Sequence, residues 1–136
     1  MKGSLTYRLT EDFKEVRPFQ YQASRERVVI DNPVGTYWIL AEDNGNIVGI
    51  CGCFIRGKTA RVKSVWVNPT YRRRGIFAQL LDLTMQSIRK CDATVATCFA
   101  TEMSRPGFAK AGFVAQREKN GITFMRLELQ TAEVKV

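Results

Sequence analysis

The stretch Val65-Trp66-Val67-Asn68-Pro69-Thr70-Tyr71-Arg72-Arg73-Arg74-Gly75-Ile76-Phe77-Ala78-Gln79-Leu80-Leu81 joins a strand-like apolar run to a helix-like run. A proline turn, three arginines and a glycine lie between them. The first turn of a helix carries free N–H groups and a partial positive charge, which together make a ready pyrophosphate site. Gly75 lacks a Cβ, so backbone at that point can approach a phosphate closely. Arg72, Arg73 and Arg74 add charge and donors. On these residues alone, a solvated basic turn with an ordinary turn glycine accounts for the segment equally well.

Outward from this segment, the pattern predicts alternating elements. Gly75 to Lys90 reads as a helix with Phe77, Leu80, Leu81, Thr84 and Ile88 on its buried stripe. Upstream, Thr36–Glu42, Ile47–Ile55 and Thr59–Val67 read as strands. They are separated by Asp43-Asn44-Gly45-Asn46, a hairpin signal, and by Arg56-Gly57-Lys58. Leu5–Leu9 reads as a first strand, Thr10 as a helix N-cap limited by Pro18, and Ala23–Ile30 as a second helix. Downstream, Thr94–Phe99 reads as a strand and Ser104–Ala111 as a short helix stopped by Gly112. Phe113–Gln116 and Ile122–Leu129 form a last hairpin around Lys119-Asn120-Gly121. Residues 131–136 are expected to fray.

The chain has 136 residues, which suits a single domain with one sizeable core over 1–136. No apolar run approaches the roughly 18 residues of a membrane span, and Met1–Arg8 has no apolar leader core. The expectation is a cytoplasmic protein without a membrane partner, monomeric or homodimeric. Cys51, Cys53, Cys91 and Cys98 show no metal-ligand spacing, and the chain contains no histidine, so no metal site is expected. The formal charge of +8 favours anionic partners, among them cofactor phosphates, nucleic acid or an acidic protein face.

The quoted stretch resembles the acetyl-CoA signature of the GNAT N-acetyltransferase superfamily, V-x-P-x-Y followed by R-x-x-G-x-G/A and a Leu-rich helix. Arg72, Gly75 and Leu80-Leu81 match, whereas Phe77 stands at the second glycine. Phe108-Ala109-Lys110-Ala111-Gly112-Phe113 resembles the family's second motif, Y-x-K-x-G-F. The order of elements also agrees, so the resemblance covers nearly the whole chain. It implies an α/β (α+β) fold of GNAT type: a three-layer sandwich with a mixed, mostly antiparallel sheet and helices on both faces.

The resemblance further implies acetyl-CoA as acyl donor and direct transfer to an amine acceptor. Val65, Trp66 and Val67 would hold the pantetheine arm, with a main-chain N–H there facing the developing oxyanion. Backbone from Arg73 through Gly75, Ile76 and Phe77 to Ala78 would cradle the pyrophosphate, with Arg72 beside it. Two positions depart from the family. Thr101 replaces an Asn that often meets the cofactor, and Phe108 replaces a tyrosine that often protonates the departing thiolate. Ser104, one turn before Phe108, is the candidate donor in its place, and a helix cap is its alternative role. Glu42 and Glu102 are candidate bases. Arg61 and Lys63 share strand parity with Val65 and Val67, which makes the approach to the thioester basic and favours an anionic acceptor. The competing readings are a related enzyme modifying nucleic acid and a CoA-binding module without catalysis.

Overall fold

The computed structural model describes residues 5–129. The expected fraying of residues 131–136 lies outside them. The chain forms β1 (Leu5–Thr10), two 3-10 turns (Phe13–Glu15 and Arg17–Phe19) and α1 (Gln20–Ser24). The hairpin strands β2 (Tyr37–Asp43), β3 (Asn46–Arg56) and β4 (Thr59–Val67) follow, then a 3-10 turn at Pro69–Tyr71 and α2 (Ile76–Arg89). The chain ends in β5 (Val95–Ala100), α3 (Arg105–Lys110), β6 (Val114–Lys119) and β7 (Ile122–Glu128). One seven-stranded sheet has the order β1-β2-β3-β4-β5-β7-β6. Only β4 and β5 run parallel, because the α2 crossover returns the chain to the same end of the sheet.

Two apolar layers cover the sheet. On one face Leu80, Leu81, Met85 and Ile88 of α2 pack on Ile39, Ala41, Cys51, Cys53, Ala60 and Val62, and Phe108 of α3 joins the same cluster. On the other, Val16, Ala23 and Ile30 of the N-terminal segment pack on Trp38, Leu40, Ile50 and Trp66. The three-layer arrangement with helices on both faces is therefore as the sequence implied. The α2 stripe is buried as its periodicity requires, save Phe77, which is half-buried.

Three local expectations fail in the N-terminal segment. Thr10 is the last residue of β1, paired with Trp38, and Asp12 is the cap, accepting the Lys14 N–H at 3.0 Å. No helix spans Ala23–Ile30. The chain closes after Ser24 with Val28 N–H on Ala23 C=O and Arg27 N–H on Ser24 C=O, both at 3.0 Å. That closure places Arg27 in the left-handed region (φ 67°), a position normally held by glycine, so nothing in the residue types marks the stop. Pro18 lies inside a 3-10 turn (Arg17–Phe19) rather than limiting a helix.

β4 also carries a bulge. Ile50 pairs with Trp66 but Gly52 pairs with Lys63, so Cys51 faces two residues, and Ser64 is left-handed (φ 57°). The extra residue reverses side-chain parity along the strand. Ala60 and Val62 share the α2 face with Val65 and Val67. Arg61 and Lys63 therefore point to the opposite face from Val65 and Val67, not the same one.

Candidate active site

The β4–β5 ladder is short, joining Thr59–Arg61 to Val95–Thr97. Beyond Arg61 the two strands have no ladder, so β4 from Val62 to Val67 has a strand partner on its β3 side only. A cavity of about 350 Å³ occupies the resulting cleft. Val65, Trp66 and Val67 form one wall, and Thr101, Ser104 and Gly107 form the other. Arg72, Arg73, Gly75, Ile76, Phe77 and Ala78 close the end where α2 begins.

The α2 N-terminus leaves its first-turn backbone donors without a side-chain cap. Gly75 is the N-cap in the left-handed region (φ 81°). Arg73 is also left-handed (φ 66°), so the backbone curls around this end of the cleft. The arginines have different employments. Arg72 donates from Nε to the Val67 carbonyl at 2.9 Å and pairs with Glu26 at 2.5 Å, tying the end of β4 to the N-terminal segment. Arg74 stacks on Tyr71 at 4.9 Å and does not line the cleft, whereas Arg73 is exposed at it. Glu26 and Val28 also line the cleft, although the sequence offered no sign of them. Gly107 does too, and an interior helix glycine is a signal of close approach that could have been read.

Phe108 is buried, with its ring edge-on to Phe77 (5.5 Å) and to Phe113 (5.3 Å). It lines a second cavity of about 370 Å³, not the first. Val28, Val65, Thr101 and Ser104 line both. Four charged side chains, Arg27, Asp31, Arg61 and Lys63, contribute to the second cavity. Burial lowers the pKa of Arg61 and of Lys63, and in Lys63 the Asp31 carboxylate opposes that fall.

Ser104 occupies the N-cap position of α3 without capping it by its side chain. Its Oγ instead accepts the Thr101 N–H at 3.0 Å and lies 3.2 Å from Thr101 Oγ1. The hydroxyl thus holds the Thr101–Ser104 turn at the junction of the two cavities. Of the proposed bases, Glu42 lines neither cavity and is paired with Arg8 at 2.8 Å. Glu102 lies on an adjoining depression with Glu26 and Thr101.

Cys51, Cys53 and Cys98 are buried, and burial pushes them up to about 12, 11 and 12 respectively. Cys91 is exposed at the far end of α2. Among the described residues no group of histidine, cysteine or acidic side chains could hold a metal ion. Among the described residues no helix is long and apolar enough to cross a membrane.

The model of the acetyltransferase (GNAT) family matches residues 6–113. No curated protein matches by sequence. Among solved structures, PaiA N-acetyltransferase from Thermoplasma acidophilum in complex with coenzyme A has a TM-score of 0.73 at 13% identity, covering 93% of this chain and 99% of its own. The yncA protein of Salmonella typhimurium with acetyl-CoA has a TM-score of 0.74 at 17% identity, covering 98% of each. N-acetylglutamate synthase from Neisseria gonorrhoeae, with coenzyme A and N-acetyl-glutamate, has a TM-score of 0.73 at 13% identity over 96% of this chain and 36% of its own. At these identities the structural likeness speaks for the fold.

Proposed function

The chain belongs to the acetyltransferase (GNAT) family, and we propose that it transfers the acetyl group of acetyl-CoA to an amine by direct attack in a ternary complex. The observation that carries this is the junction of the two cavities at Val65, Thr101 and Ser104. A donor in the first cavity and an amine in the second would meet there.

The residues present fit the donor. The half-partnered β4 edge suits the amides of a pantetheine arm, which dock as an added strand does. The uncapped α2 N-terminus with left-handed Arg73 and Gly75 suits a pyrophosphate. When bound, acetyl-CoA supplies an activated acyl carbon and a thiolate leaving group. In the transfer the C–N bond forms as the C–S bond breaks, and the amine loses a proton while sulfur gains one. Main-chain N–H groups on the open β4 edge would meet the negative charge developing on the acyl oxygen. Ser104 and Thr101 both bring hydroxyls to the junction, and Ser104 is the proposed proton donor, with water as its alternative. Phe108 supplies packing there and no proton. An acyl-enzyme is disfavoured, since buried thiols held near 11 to 12 are poor nucleophiles and no histidine can activate them.

Calorimetry with acetyl-CoA and thiol release across an amine panel test this reading. Binding with amine-dependent thiol release is expected. Binding without release from any amine would make the chain a CoA-binding module, and no binding at millimolar ligand would overturn the reading altogether.

A second reading, modification of nucleic acid, draws on the outer face of the C-terminal half-sheet. There Arg61 lies over Phe99, Phe99 packs on Phe124, and Arg117 lies over Phe124 at 4.3 Å. Aromatic rings between guanidinium groups can take bases and phosphates. A steep fall of nucleic-acid affinity with salt would support it.

A further inference from the structure

We propose that the second cavity takes an amine that also carries an anionic group, a carboxylate or phosphate, and that Arg61 anchors this group with help from Arg27. The inference rests on the acyl-transfer reading for the amine end and on the cavity itself for the anionic end.

The cavity's charges do not cancel. Lys63 is paired with Asp31, donates to the Asp31 carbonyl at 2.8 Å, and lies over Trp38 at 5.0 Å. That pair is self-sufficient. Arg61 and Arg27 have no carboxylate partner among the described residues. Two guanidinium charges are thus left over on a cavity of about 370 Å³.

Arg61 is held as an anchor needs to be. Its Nε donates to Thr97 Oγ1 at 2.8 Å, and its guanidinium lies 4.7 Å from the centre of the Phe99 ring. These two contacts fix the plane and one edge of the fork. The Nη groups have no protein partner among the described residues, and a carboxylate or phosphate accepts from such a fork through two oxygens. Arg61 is only half-exposed, and burial opposes its charge. A partly desolvated cation without a counter-ion is costly, and an anionic ligand removes that cost.

The arrangement follows from two left-handed residues. The bulge at Ser64 turns Arg61 away from the α2 face and leaves it at the mouth of the second cavity. The closure at Arg27 brings its Nη1 against the β6–β7 turn, where a Cβ at Gly121 would meet it at 2.9 Å. Both arginines therefore line the cavity, which shares Val65 and Ser104 with the first cavity, where transfer would occur.

The test uses matched amines: 4-aminobenzoate and 4-aminobutyrate against their methyl esters, and 2-aminoethyl phosphate against ethanolamine. Thiol release is followed with acetyl-CoA on wild type, Arg61→Gln, Arg61→Lys and Arg27→Gln. Arg89→Gln, in the last turn of α2 and outside both cavities, is the control. Wild type is expected to prefer the anionic member of at least one pair, and the pair preferred tells carboxylate from phosphate. Arg61→Gln should cut that preference by about tenfold or more, through KM, with the neutral amine and acetyl-CoA affinity unchanged. Arg61→Lys should restore part of it, and Arg27→Gln, an exposed position, should weaken it even if Arg61→Gln folds poorly. Preference for the neutral members, or a preference untouched by Arg61→Gln and Arg27→Gln, would overturn the inference. If no amine releases thiol, the transfer reading falls, and the anchor is read separately by calorimetry of 4-aminobenzoate and 2-aminoethyl phosphate on the CoA-loaded protein. Binding about tenfold weaker in Arg61→Gln supports the anchor, whereas equal affinity, or none at millimolar ligand, overturns it.

Discussion

The Phe77 ring lies so close to Gly107 that a Cβ on residue 107 would overlap Phe77 Cε1. Phe77 holds the motif position where the family has a second glycine. The missing Cβ has in effect moved across the cleft to α3, where Gly107 leaves room for the ring. Phe108 then fixes that ring edge-on at 5.5 Å. Gly107→Ala should destabilise the protein by about 1–3 kcal/mol, as overpacking does. The double variant Gly107→Ala/Phe77→Ala should cost less than the sum of the two single changes, measured by urea unfolding. Additive costs would mean that the two residues do not constrain each other.

Gly75 separates backbone strain from charge at the α2 N-terminus. A Cβ there meets nothing within 4 Å, so the φ of 81° is the obstacle to substitution. Gly75→Ala should lose about 1–2 kcal/mol of stability and retain most acetyl-CoA affinity. Gly75→Glu should in addition weaken acetyl-CoA by about tenfold, because a carboxylate is set beside the pyrophosphate. Equal affinities for Ala and Glu by calorimetry would place the pyrophosphate elsewhere.

The proton donor is decided by two substitutions. Ser104→Ala should lower turnover by about a hundredfold with unchanged acetyl-CoA affinity, if its hydroxyl protonates the leaving sulfur. Full activity would leave Ser104 as the residue that closes the Thr101 turn, with water as the source. Phe108→Tyr should preserve or raise turnover, since the ring lines the second cavity and a phenol adds a donor.

Only Cys91 should be alkylated by iodoacetamide in the native protein at pH 8, because the other three thiols are buried and pushed well above the working pH. Intact mass should show a single addition. A folded variant with all four cysteines replaced should keep thioester turnover, whereas complete loss would point to a covalent cysteine route.

Acid stability should depend on Glu15. Hydrogen bonds from Arg8 and Thr10 hold its carboxyl at about 2, below the ordinary 4.5. A depressed folded pKa stabilises the protein above the unfolded pKa, and that contribution drains as pH falls from about 4.5 towards 2. The effect is modest, since the Arg8 side chain is 43% exposed. Urea midpoints of wild type and Glu15→Gln should differ at pH 6 and converge by pH 2. A constant difference would assign the loss to packing.

Much of this molecule is written locally. The α2 stripe, the Asn-Gly hairpin turns, the arrest of β4 at Asn68-Pro69 and the end of α3 at Gly112 each depend on neighbours within a few positions. Residue type and period are therefore enough to read them, and with them the order of elements and the anion-ready start of α2. The cleft's far wall and the charge of the second cavity are not local. Ser64 and Arg27 take left-handed conformations that their side chains do not favour, and tertiary contacts hold them there: Ser64 Oγ donates to the Val29 carbonyl 35 positions away. That contact sits at the bulge that reverses the parity of Arg61, so a strand pattern read from residue types put it on the wrong face. Likewise Glu26 meets Arg72 across 46 positions, and only packing the N-terminal segment onto the sheet brings them together. Local physics could write the start of α2 at one end of the first cavity, but the second cavity exists only where distant segments meet.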